Sequence, residues 1–316
     1  LIQSLTVFLV TLPVIAYWFF SLPPYGILLN LALIPMTGFM LFLGLLTLAA
    51  ASLVPPLAAL PALFLECGLA LQNVLCALAE CLPFHRLLIG RPRLWQLLLY
   101  SLFLCLCFGL LLDKVPRRGK VSEKQFRRAL TFGAAFAAAL SLLPLRSQVP
   151  RIWLLDIGQG DAILIERNGK FALIDTGDVE HRPRMAEYLR KYGVKKVDTV
   201  IITHPHGDHI GGMFSVFANA EIRQVYDNGV PTSLSTYKTY RKILDKRKIP
   251  RRTLRGGEKI QLLDGVPFTV VGPLEKSNAR GENSRQNNES IVGLLKYGNF
   301  TMLFTGDAEA EEEASI

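Results

Sequence analysis

Three histidines and one aspartate stand close together in a run that follows a β-branched segment, 197–203, which reads as a strand. Imidazole nitrogen and carboxylate oxygen are the ligands that borderline and hard divalent metals take. Two histidines spaced two apart on extended backbone can point the same way, and the remaining pair follows a turn and can approach from another side. The arrangement predicts two metal ions sharing one site, which could clamp both oxygens of an in-line displacement. The residues are His204, His206, Asp208 and His209.

The surrounding sequence bears on whether this run is a metal site or a plain structural turn. The alternative is a polar strand-to-helix cap, in which Asp208 caps a helix and the histidines decorate a loop. The strand before the run and a possible helix start at Ile210 give the strand–loop–helix context of catalytic motifs, which favours the metal site. The run also matches the H-x-H-x-D-H pattern at every position, so it resembles the metal loop of the metallo-β-lactamase superfamily.

Further stretches resemble the ComEC family of DNA-internalisation competence proteins. Residues 156–162 (D-I-G-Q-G-D-A) look like the family's opening motif, and residues 172–177 (A-L-I-D-T-G) look like the strand and turn before its metal loop. Residues 287–292 (N-N-E-S-I-V) and 304–307 (F-T-G-D) are similar to two later motifs. The apolar first half resembles the family's membrane competence region, so the resemblance covers nearly the whole chain.

The resemblance implies a ligand for each metal position. In the superfamily the first two histidines bind one metal, the Asp–His pair binds a second, and a later aspartate bridges them. Carried over, His204 and His206 hold the first metal, Asp208 and His209 hold the second, and Asp307 is the bridge. Asp208 is the residue on which we expect catalysis to depend, with Zn or Mn as the ion. The alternative for Asp307 is an N-cap of a following helix, and it could serve both purposes.

Other residues of the pattern are structural or missing. Asp175 ends a strand and is predicted to brace the metal loop. Asp156 and Asp161 are predicted to organise the glycine-rich turn or to hydrogen-bond to the ligands from behind. No histidine follows His209, and the third ligand of the first site would fall in 287–290. The last superfamily histidine would lie beyond residue 316. We therefore expect a chain cut at both ends, with an incomplete and inactive site.

Composition divides the chain into an apolar half and an ordinary mixed half. Five apolar segments, each near the length that a membrane helix needs, are predicted to be spanning helices: 1–20, 26–51, 57–82, 94–112 and 129–145. The five cysteines all lie in this half and are predicted to be buried hydrophobes rather than a disulfide framework. We predict a transmembrane region over 1–145, a linker at 146–151 and a soluble domain over 152–316.

The third apolar segment carries a polar stripe. Glu66, Asn73 and Glu80 are spaced by seven, so on a helix they share nearly one face. Ionisable groups inside a bilayer are costly and usually face a cavity or a partner, which indicates the lining of a passage. The alternative is an interfacial amphipathic helix with this face in water. Carboxylates are an odd lining for a polyanion, and the two interpretations stay equally open.

Charge asymmetry predicts the orientation of the soluble domain. The loop 113–128 carries seven basic residues, whereas the loop 83–93 carries three. Because cytoplasmic loops are enriched in Lys and Arg, the former is placed in the cytoplasm. If the segment 129–145 spans, the soluble domain lies outside. The predicted location is therefore the cytoplasmic membrane, with several passes and an extracytoplasmic C-terminal domain.

Strand-like runs interleaved with helical ones indicate an α/β domain. Asn168-Gly169 and Gly298-Asn299 are hairpin signals between strand candidates. The pattern fits two β-sheets covered by helices, which is the four-layer αββα sandwich that the resemblance implies, incomplete at its C-terminus. The predicted fold is thus a multi-span α-helical membrane region followed by a metallo-β-lactamase-like α/β sandwich.

The resemblance implies a function in DNA uptake across the cytoplasmic membrane during natural competence. The apolar half would form part of the conduit for single-stranded DNA, and the second half would be a metal-dependent phosphodiesterase, a nuclease that degrades the strand left outside. The implied partners are single- or double-stranded DNA, membrane lipid, other proteins of the competence machinery and further copies of the chain.

Two other functions remain open at this point. One is a non-catalytic domain that binds DNA or braces the channel and keeps a vestigial metal site. The absence of a third histidine favours it, while the intact run from His204 to His209 opposes it. The other is an unrelated membrane-anchored hydrolase of small esters or lactams, against which the opening motif at 156–162 argues.

Overall fold

A computed structural model describes residues 2–111, 123–274, 276–277 and 281–316. The chain divides into two compact units, Leu1–Pro144 and Leu145–Ile316. We describe each unit by itself.

The first unit is helical, and each of the five predicted apolar segments forms a helix. The fifth helix begins earlier than predicted, at Glu123. The helices are α1 (Ile2–Phe19), α2 (Gly26–Leu53), α3 (Ala59–Glu80), α4 (Leu94–Leu111) and α5 (Glu123–Ser141). A short 3₁₀ turn, Pro55–Ala58, leads into α3, and the two-residue strands β1 (Ser21–Leu22) and β2 (Leu87–Leu88) pair antiparallel.

Two helical stretches of the first unit are long and apolar enough to cross a membrane, by length and composition: Gly26–Leu53 and Pro55–Glu80. Their large apolar side chains are widely exposed, as at Leu53, which is 82 % exposed. Between α2 and α3 the Gln72 Nε2 amide donates a 3.1 Å hydrogen bond to Thr37 Oγ1. The apolar stretches of the other three helices are shorter in the part of the chain that the structure describes.

The polar stripe lies on α3 as its spacing predicts. Glu66, Asn73 and Glu80 are all exposed, and Glu80 lines a cavity of about 490 Å³ together with His85 and Arg86. Both interpretations of the stripe therefore stay open. Most of the basic loop used for the topology prediction, residues 112–122, lies outside the described residues.

The second unit is built on two β-sheets. The six-stranded sheet has the order β10-β9-β7-β5-β4-β3, with β5, β7, β9 and β10 parallel and β3, β4 and β5 antiparallel. Its strands are β3 (Arg151–Leu154), β4 (Ile163–Arg167), β5 (Lys170–Ile174), β7 (Thr199–Ile202), β9 (Val225–Asp227) and β10 (Arg251–Thr253). The short strands β6 (Lys196–Val197) and β8 (Glu221–Ile222) pair separately.

The second sheet is antiparallel and runs in the order β11-β12-β13-β14. Its strands are β11 (Lys259–Leu263), β12 (Val266–Gly272), β13 (Val292–Tyr297) and β14 (Phe300–Phe304). The helices of this unit are α6 (Arg182–Lys191), α7 (Gly207–Ile210), α8 (Met213–Asn219), α9 (Ser235–Arg247), α10 (Glu282–Asn288) and α11 (Ala310–Glu313).

The six-stranded sheet is buried on both faces. Successive side chains of β4 alternate between two apolar clusters, one on each face. Leu164 belongs to the apolar cluster under α6, α8 and α9, whereas Ile163 and Ile165 belong to the cluster shared with the second sheet. Successive side chains of a strand point to opposite faces, so near-continuous apolar strands are required here. The stacking is helices, sheet, sheet, as predicted for three of the four layers.

The fourth layer is not formed by the described residues. The outer face of the second sheet carries Leu303, which is 50 % exposed, and on the paired strand the half-buried Leu294. After α9 the described residues contain only the short helices α10 and α11.

Both predicted hairpins are confirmed. Asn168 and Gly169 join β4 to β5 with φ of 54° and 74°, and positive φ at both central residues is what a two-residue type I′ turn needs. Gly298 and Asn299 join β13 to β14 across the paired residues Tyr297 and Phe300.

Close backbone packing at Gly212 positions the ligand loop. A Cβ placed on Gly212 would lie 1.9 Å from the backbone oxygen of Thr176, so the chain after β5 can approach the start of α8 only at a glycine. Gly207, inside the ligand run, has no atom within 4 Å of such a Cβ. The steric requirement for glycine therefore applies at Gly212, beside the ligand run, and not at Gly207 within it.

We predict that Gly212→Ala destabilises the second unit, because the clash is with backbone, which cannot move aside cheaply. Overpacking typically costs about 1–3 kcal/mol, and each kcal/mol lowers Tm by about 2–4 °C in a domain of this size. The unfolding midpoint by near-UV circular dichroism measures the effect, and Gly207→Ala is the matched control with no expected change. Equal midpoints for the two variants would contradict the packing argument.

Candidate metal centre

The site forms where neighbouring parallel strands end. β5 and β7 are parallel, with Ile174 beside Ile201, so their carboxyl ends lie at one edge of the sheet. The chain leaves β5 at Asp175 and leaves β7 at Thr203 and His204, all of them buried. The Asp175 amide still donates to the Ile201 carbonyl at 2.8 Å, which ties the two exits together.

The buried Asp175 carboxylate anchors both ends of the ligand loop. One oxygen accepts the Thr203 backbone N–H at 2.8 Å. The other accepts the Thr203 hydroxyl at 2.6 Å and lies 2.9 Å from His209 Nδ1. Asp175 has φ of 54°, a left-handed conformation that costs about 1–2 kcal/mol and that aspartate tolerates better than most residues. The side chain is thus held in an unfavourable backbone state by three polar contacts.

The contact with Asp175 sets the direction of the His209 ring. With Nδ1 donating to the carboxylate, Nε2 points the other way, where it lies 3.2 Å from Asp307 Oδ1. Apart from this close contact, the buried Nε2 has no hydrogen-bond partner among the described residues. Histidine that donates one ring N–H to a carboxylate and presents the other nitrogen is the usual state of a metal ligand.

The remaining residues of the run gather around the same point. His204 Nε2 lies 3.9 Å from Asp307 Oδ2 and 3.0 Å from His206 Nδ1. Asp208 Oδ2 lies 4.0 Å from His209 Nε2, at the more exposed side of the site. The structure therefore brings His204, His209 and Asp307 together, with His206 beside His204 and Asp208 at the rim next to His209.

The donor set fits a divalent ion. One ligand atom each from His204, His209 and Asp307 lies within 4.8 Å of the others. Ligands bound at about 2.0–2.2 Å in a tetrahedral shell lie about 3.4 Å apart, so only small side-chain movements are needed. The buried Nε2 atoms of His206 and His209 have no hydrogen-bond partner among the described residues. Such an ion would give these nitrogen atoms a partner.

The surroundings of His204 and His209, both buried, shift their pKa values in opposite directions. Burial, together with the neighbouring His209 and His206, lowers the pKa of His204 to about 2. Burial acts the same way on His209, but the charge of Asp175 and the contact with Asp307 outweigh it and raise the pKa of His209 to about 11. Contact with His209 lowers the pKa of Asp307. A metal ion binding here would replace the proton on His209 Nε2, since ligating imidazole is neutral.

Asp307 does not cap a helix. The helix after it, α11, begins at Ala310, and its N-cap position is Glu309, which makes no side-chain cap bond. The structure therefore leaves Asp307 to the ligand cluster, where its carboxylate remains partly accessible.

The three other predicted aspartates take different positions. Asp175 braces the loop as described. Asp161 lies at the mouth of the site, where partial burial of its carboxylate and the charge of Asp175 raise its pKa, although much of the residue is exposed. Asp156 is directed away, and its exposed carboxylate is 3.5 Å from Arg184. The glycine-rich turn instead contacts the ligand loop through its backbone. A Cβ placed on Gly160 would lie 1.9 Å from the backbone carbonyl oxygen of Asp208.

The stretch 287–290, where the third ligand was expected, presents a serine. Asn288 is engaged by α11, its Oδ1 accepting the Glu309 and Glu312 amides. Ser290 is fully buried with an unpartnered Oγ, and it packs where a Cβ on Gly306 would touch both Thr203 and Ser290. The next amide, of Ile291, donates to the Thr203 carbonyl at 3.0 Å.

Sequence reasoning missed Thr203 as part of the site, and it missed the burial of Ser290. Thr203 was treated as the end of a strand, yet it makes two of the contacts of Asp175. Its position next to the first ligand was the available signal. Ser290 was covered by the expectation for 287–290, but its burial against Thr203 could not be predicted, because it depends on how the second sheet docks.

Two family models match the chain. The model described as "Metallo-beta-lactamase superfamily" matches residues 155–314, and the model described as "Competence protein" matches residues 2–114. One match lies in each of the two units of the structure.

Curated relatives match part of the chain and are much longer. "ComE operon protein 3" of Bacillus subtilis is 23 % identical over 221 residues, covering 62 % of this chain and 27 % of that protein. "Recombination protein 2" of Haemophilus influenzae is 32 % identical over 167 residues, covering 50 % of this chain and 18 % of that protein. Among solved structures, MEM-A1, a subclass B3 metallo-beta-lactamase from a soil metagenome library, has 16 % identity and a TM-score of 0.33, covering 50 % of this chain and 62 % of that one.

We predict that Asp175→Asn weakens metal binding about 10–100-fold, as loss of a carboxylate behind a ligating histidine typically does. The substitution keeps the shape and suits a left-handed backbone, so the fold should remain. Titration calorimetry with Zn²⁺ or Mn²⁺ measures the affinity. Asp156→Asn, which removes an exposed carboxylate paired with Arg184, is the control. Unchanged affinity in Asp175→Asn would show that the carboxylate does not support the site.

Proposed function

The chain belongs to the metallo-beta-lactamase superfamily and carries a competence-protein region before that domain, and from this premise we propose that it takes part in DNA uptake through a membrane. Its second unit is proposed to be a metal-dependent phosphodiesterase that degrades the strand that is not transported. The observation that carries the proposal is the convergence of His204, His209 and Asp307, where the buried Nε2 of His209 has no hydrogen-bond partner among the described residues.

The proposed ligands divide between two divalent ions. His204 and His206 hold the first, Asp208 and His209 hold the second, and Asp307 lies between them. A bound divalent ion supplies Lewis-acid polarisation of a phosphoryl oxygen and makes water more acidic. Zn and Mn both accept imidazole and carboxylate ligands, so the donor set is compatible with either.

The chain's own residues supply position and charge. Asp175, itself held by Thr203, orients the His209 ring so that Nε2 faces Asp307. The carboxylates of Asp307 and Asp208 would help to hold the divalent ions, which supply the positive charge that an in-line displacement at phosphorus needs. Positioning of this kind, rather than covalent chemistry by the protein, is the main contribution expected in transfer at phosphorus.

DNA is the proposed substrate because of the region that accompanies the domain. The superfamily pattern alone is compatible with esters, lactams and phosphodiesters. The match of residues 2–114 to the competence model links this domain to transport of a nucleic acid, and a phosphodiester is the bond that such a substrate presents. The proposed partners are therefore DNA, membrane lipid, other competence proteins and further copies of the chain.

A specific observation favours a second, non-catalytic function. No histidine follows His209, and the stretch 287–290 offers the engaged Asn288 and the hydroxyl of Ser290 in its place. In this case the domain binds DNA or braces the channel, and its metal site is vestigial.

We predict that Asp208→Asn in the full-length protein abolishes metal-dependent DNA cleavage while the fold stays intact. Asp208 is partly exposed in a turn and has little packing to lose. Loss of the Asp208 carboxylate would weaken the hold on the second ion, and losing such a source of transition-state stabilisation typically costs about 10²–10³ in rate. Cleavage of a labelled oligonucleotide with Mn²⁺ or Zn²⁺ is the measurement, and Asp264→Asn, at an exposed carboxylate paired with Lys170, is the control.

The outcomes separate the two functions. Cleavage by the wild type and its loss in Asp208→Asn support the phosphodiesterase. Equal cleavage by both proteins removes Asp208 from the mechanism. If the metal-loaded wild type cuts no DNA, the nuclease proposal fails and the bracing function takes its place.

The proposed location is a membrane, with the second unit outside the cytoplasm. The support is the family match, the two long apolar helical stretches and the basic residues that follow α4 in the sequence. Degradation of an untransported strand also requires the domain to lie on the side from which DNA arrives.

We predict that Asn299→Cys, in a protein lacking its five native cysteines, reacts with an impermeant maleimide in intact cells. Asn299 lies in the exposed turn between β13 and β14, so the thiol would be accessible on whichever side the unit lies. Labelling before and after lysis is compared by gel shift. Protection until the cells are lysed would place the unit in the cytoplasm and overturn the topology.

A further inference from the structure

A basic cavity lies in the second unit, on a helix that packs against the turn carrying Asp208 and His209. It has a volume of about 330 Å³ and is lined by α9 and by the loop that follows β9. Three of its lining residues are cationic, Lys238, Arg241 and Lys242, and no lining residue is acidic. Its volume is in the range of small-ligand pockets, about 300–1,000 Å³. We call it the basic cavity.

The spacing of the three cations places them on one side of α9. Residues three and four apart are neighbours on a helix surface, so Lys238, Arg241 and Lys242 converge without a carboxylate among them. The buried carboxylate of Asp227, at the end of β9 before the lining loop, is already paired with Arg251. The positive charge of the basic cavity is therefore not neutralised by the groups that line it.

Two polar features of the basic cavity lack partners within the described residues. Nε of Arg241 is buried and makes no hydrogen bond, although Nη1 of the same guanidinium donates to Tyr237 at 3.3 Å. At the start of α9, the N-cap residue Leu234 supplies no side-chain cap, so first-turn N–H groups remain available. An unmet guanidinium N–H and the positive end of a helix both favour an anion.

The position of the basic cavity relates it to the metal centre. β9 pairs in parallel with β7, with Asp227 beside Ile202, so the loop that begins at Asn228 leaves the same sheet edge as the ligand loop. Neighbouring strands are about 4.8 Å apart. In addition, α9 packs against α7, the turn that carries Asp208 and His209. The loop and the helix that line the basic cavity are thus neighbours of the strand and the turn that carry the ligands.

From this geometry we propose that the basic cavity binds the phosphodiester backbone of single-stranded nucleic acid and holds it beside the metal centre. The inference rests on the proposed function and adds a positioning site to it. Lys238, Arg241 and Lys242 contact backbone phosphates, so binding is independent of base sequence, because phosphate contacts position a strand without reading it. The strand would reach the ligands over the end of β9.

The test measures binding apart from cleavage. Fluorescence anisotropy of a short fluorescein-labelled oligothymidylate is followed with the full-length protein in non-ionic detergent and EDTA, over a range of salt concentrations. The double variant Lys238→Gln/Lys242→Gln should bind more weakly. Its slope of log K against log salt should fall by about 1.4, since each phosphate contact on a single strand contributes about 0.7. Oligonucleotides of other sequences should lose affinity equally.

The matched control removes the same charge elsewhere. Lys195→Gln/Lys259→Gln neutralises two exposed lysines that do not line the basic cavity, and it should bind like the wild type. All four lysines are exposed, so unfolding midpoints should not move. Equal weakening of both double variants would mean that only net charge matters, and the proposal would fall.

Three further outcomes distinguish a nucleic-acid site from a lipid site and the inference from the phosphodiesterase proposal. If phosphatidylglycerol vesicles lose affinity for the cavity variant while oligonucleotide binding does not change, the basic cavity is a lipid site and the inference is wrong. If the cavity variant loses oligonucleotide binding although metal-loaded wild type cleaves nothing, the inference stands and the phosphodiesterase proposal fails. If the wild type cleaves DNA and the cavity variant binds like the control, the inference alone fails.

Discussion

A single buried carboxylate, that of Asp175, holds the ligand loop in place. It takes the amide and hydroxyl of Thr203 at the start of the loop and the ring of His209 at its end. A buried charge is stable only when its oxygens are fully engaged, so the loop and the carboxylate require each other. The adjacent Thr176 reinforces this by donating its hydroxyl to the His209 carbonyl at 2.9 Å. The orientation of the His209 ring is thus set by Asp175, which is not one of the predicted metal ligands.

The rest of the second unit serves to bring three structural elements to this point. The parallel strands deliver Asp175 and His204 to one edge of the six-stranded sheet. The second sheet contributes Asp307 after β14, and the Ile291 amide before β13 joins the Thr203 carbonyl. The helix α9 packs on the opposite side of the ligand turn. The apolar clusters on both faces of the six-stranded sheet fix these elements relative to one another, which explains why its strands are apolar nearly throughout.

The features that could be predicted are those determined by residues close together in the sequence. The ligand run, the two hairpin turns and the five apolar segments depend on neighbouring residues, and each lies where the pattern indicated, with the helix boundaries shifting at Glu123. Other features depend on packing between segments that are far apart in the sequence. The burial of Ser290, the engagement of Asn288 by α11 and the distance between Asp156 and the ligands follow from how the second sheet and α6 pack. The basic charge of α9 was visible in sequence, but its relation to the ligand turn was not, because parallel pairing of β9 with β7 carries no local signal.

His204 and Asp307 belong to different sheets and lie 3.9 Å apart. Any ion that joins them acts as a cross-link that closes a long loop of chain, in the way that a disulfide does, and the entropy that such a closure removes from the unfolded chain grows with loop length. Loading the centre would therefore tighten the sandwich as a whole, and the ion-free domain would be the looser form. Availability of the ion would in this way decide how long the domain resists proteolysis.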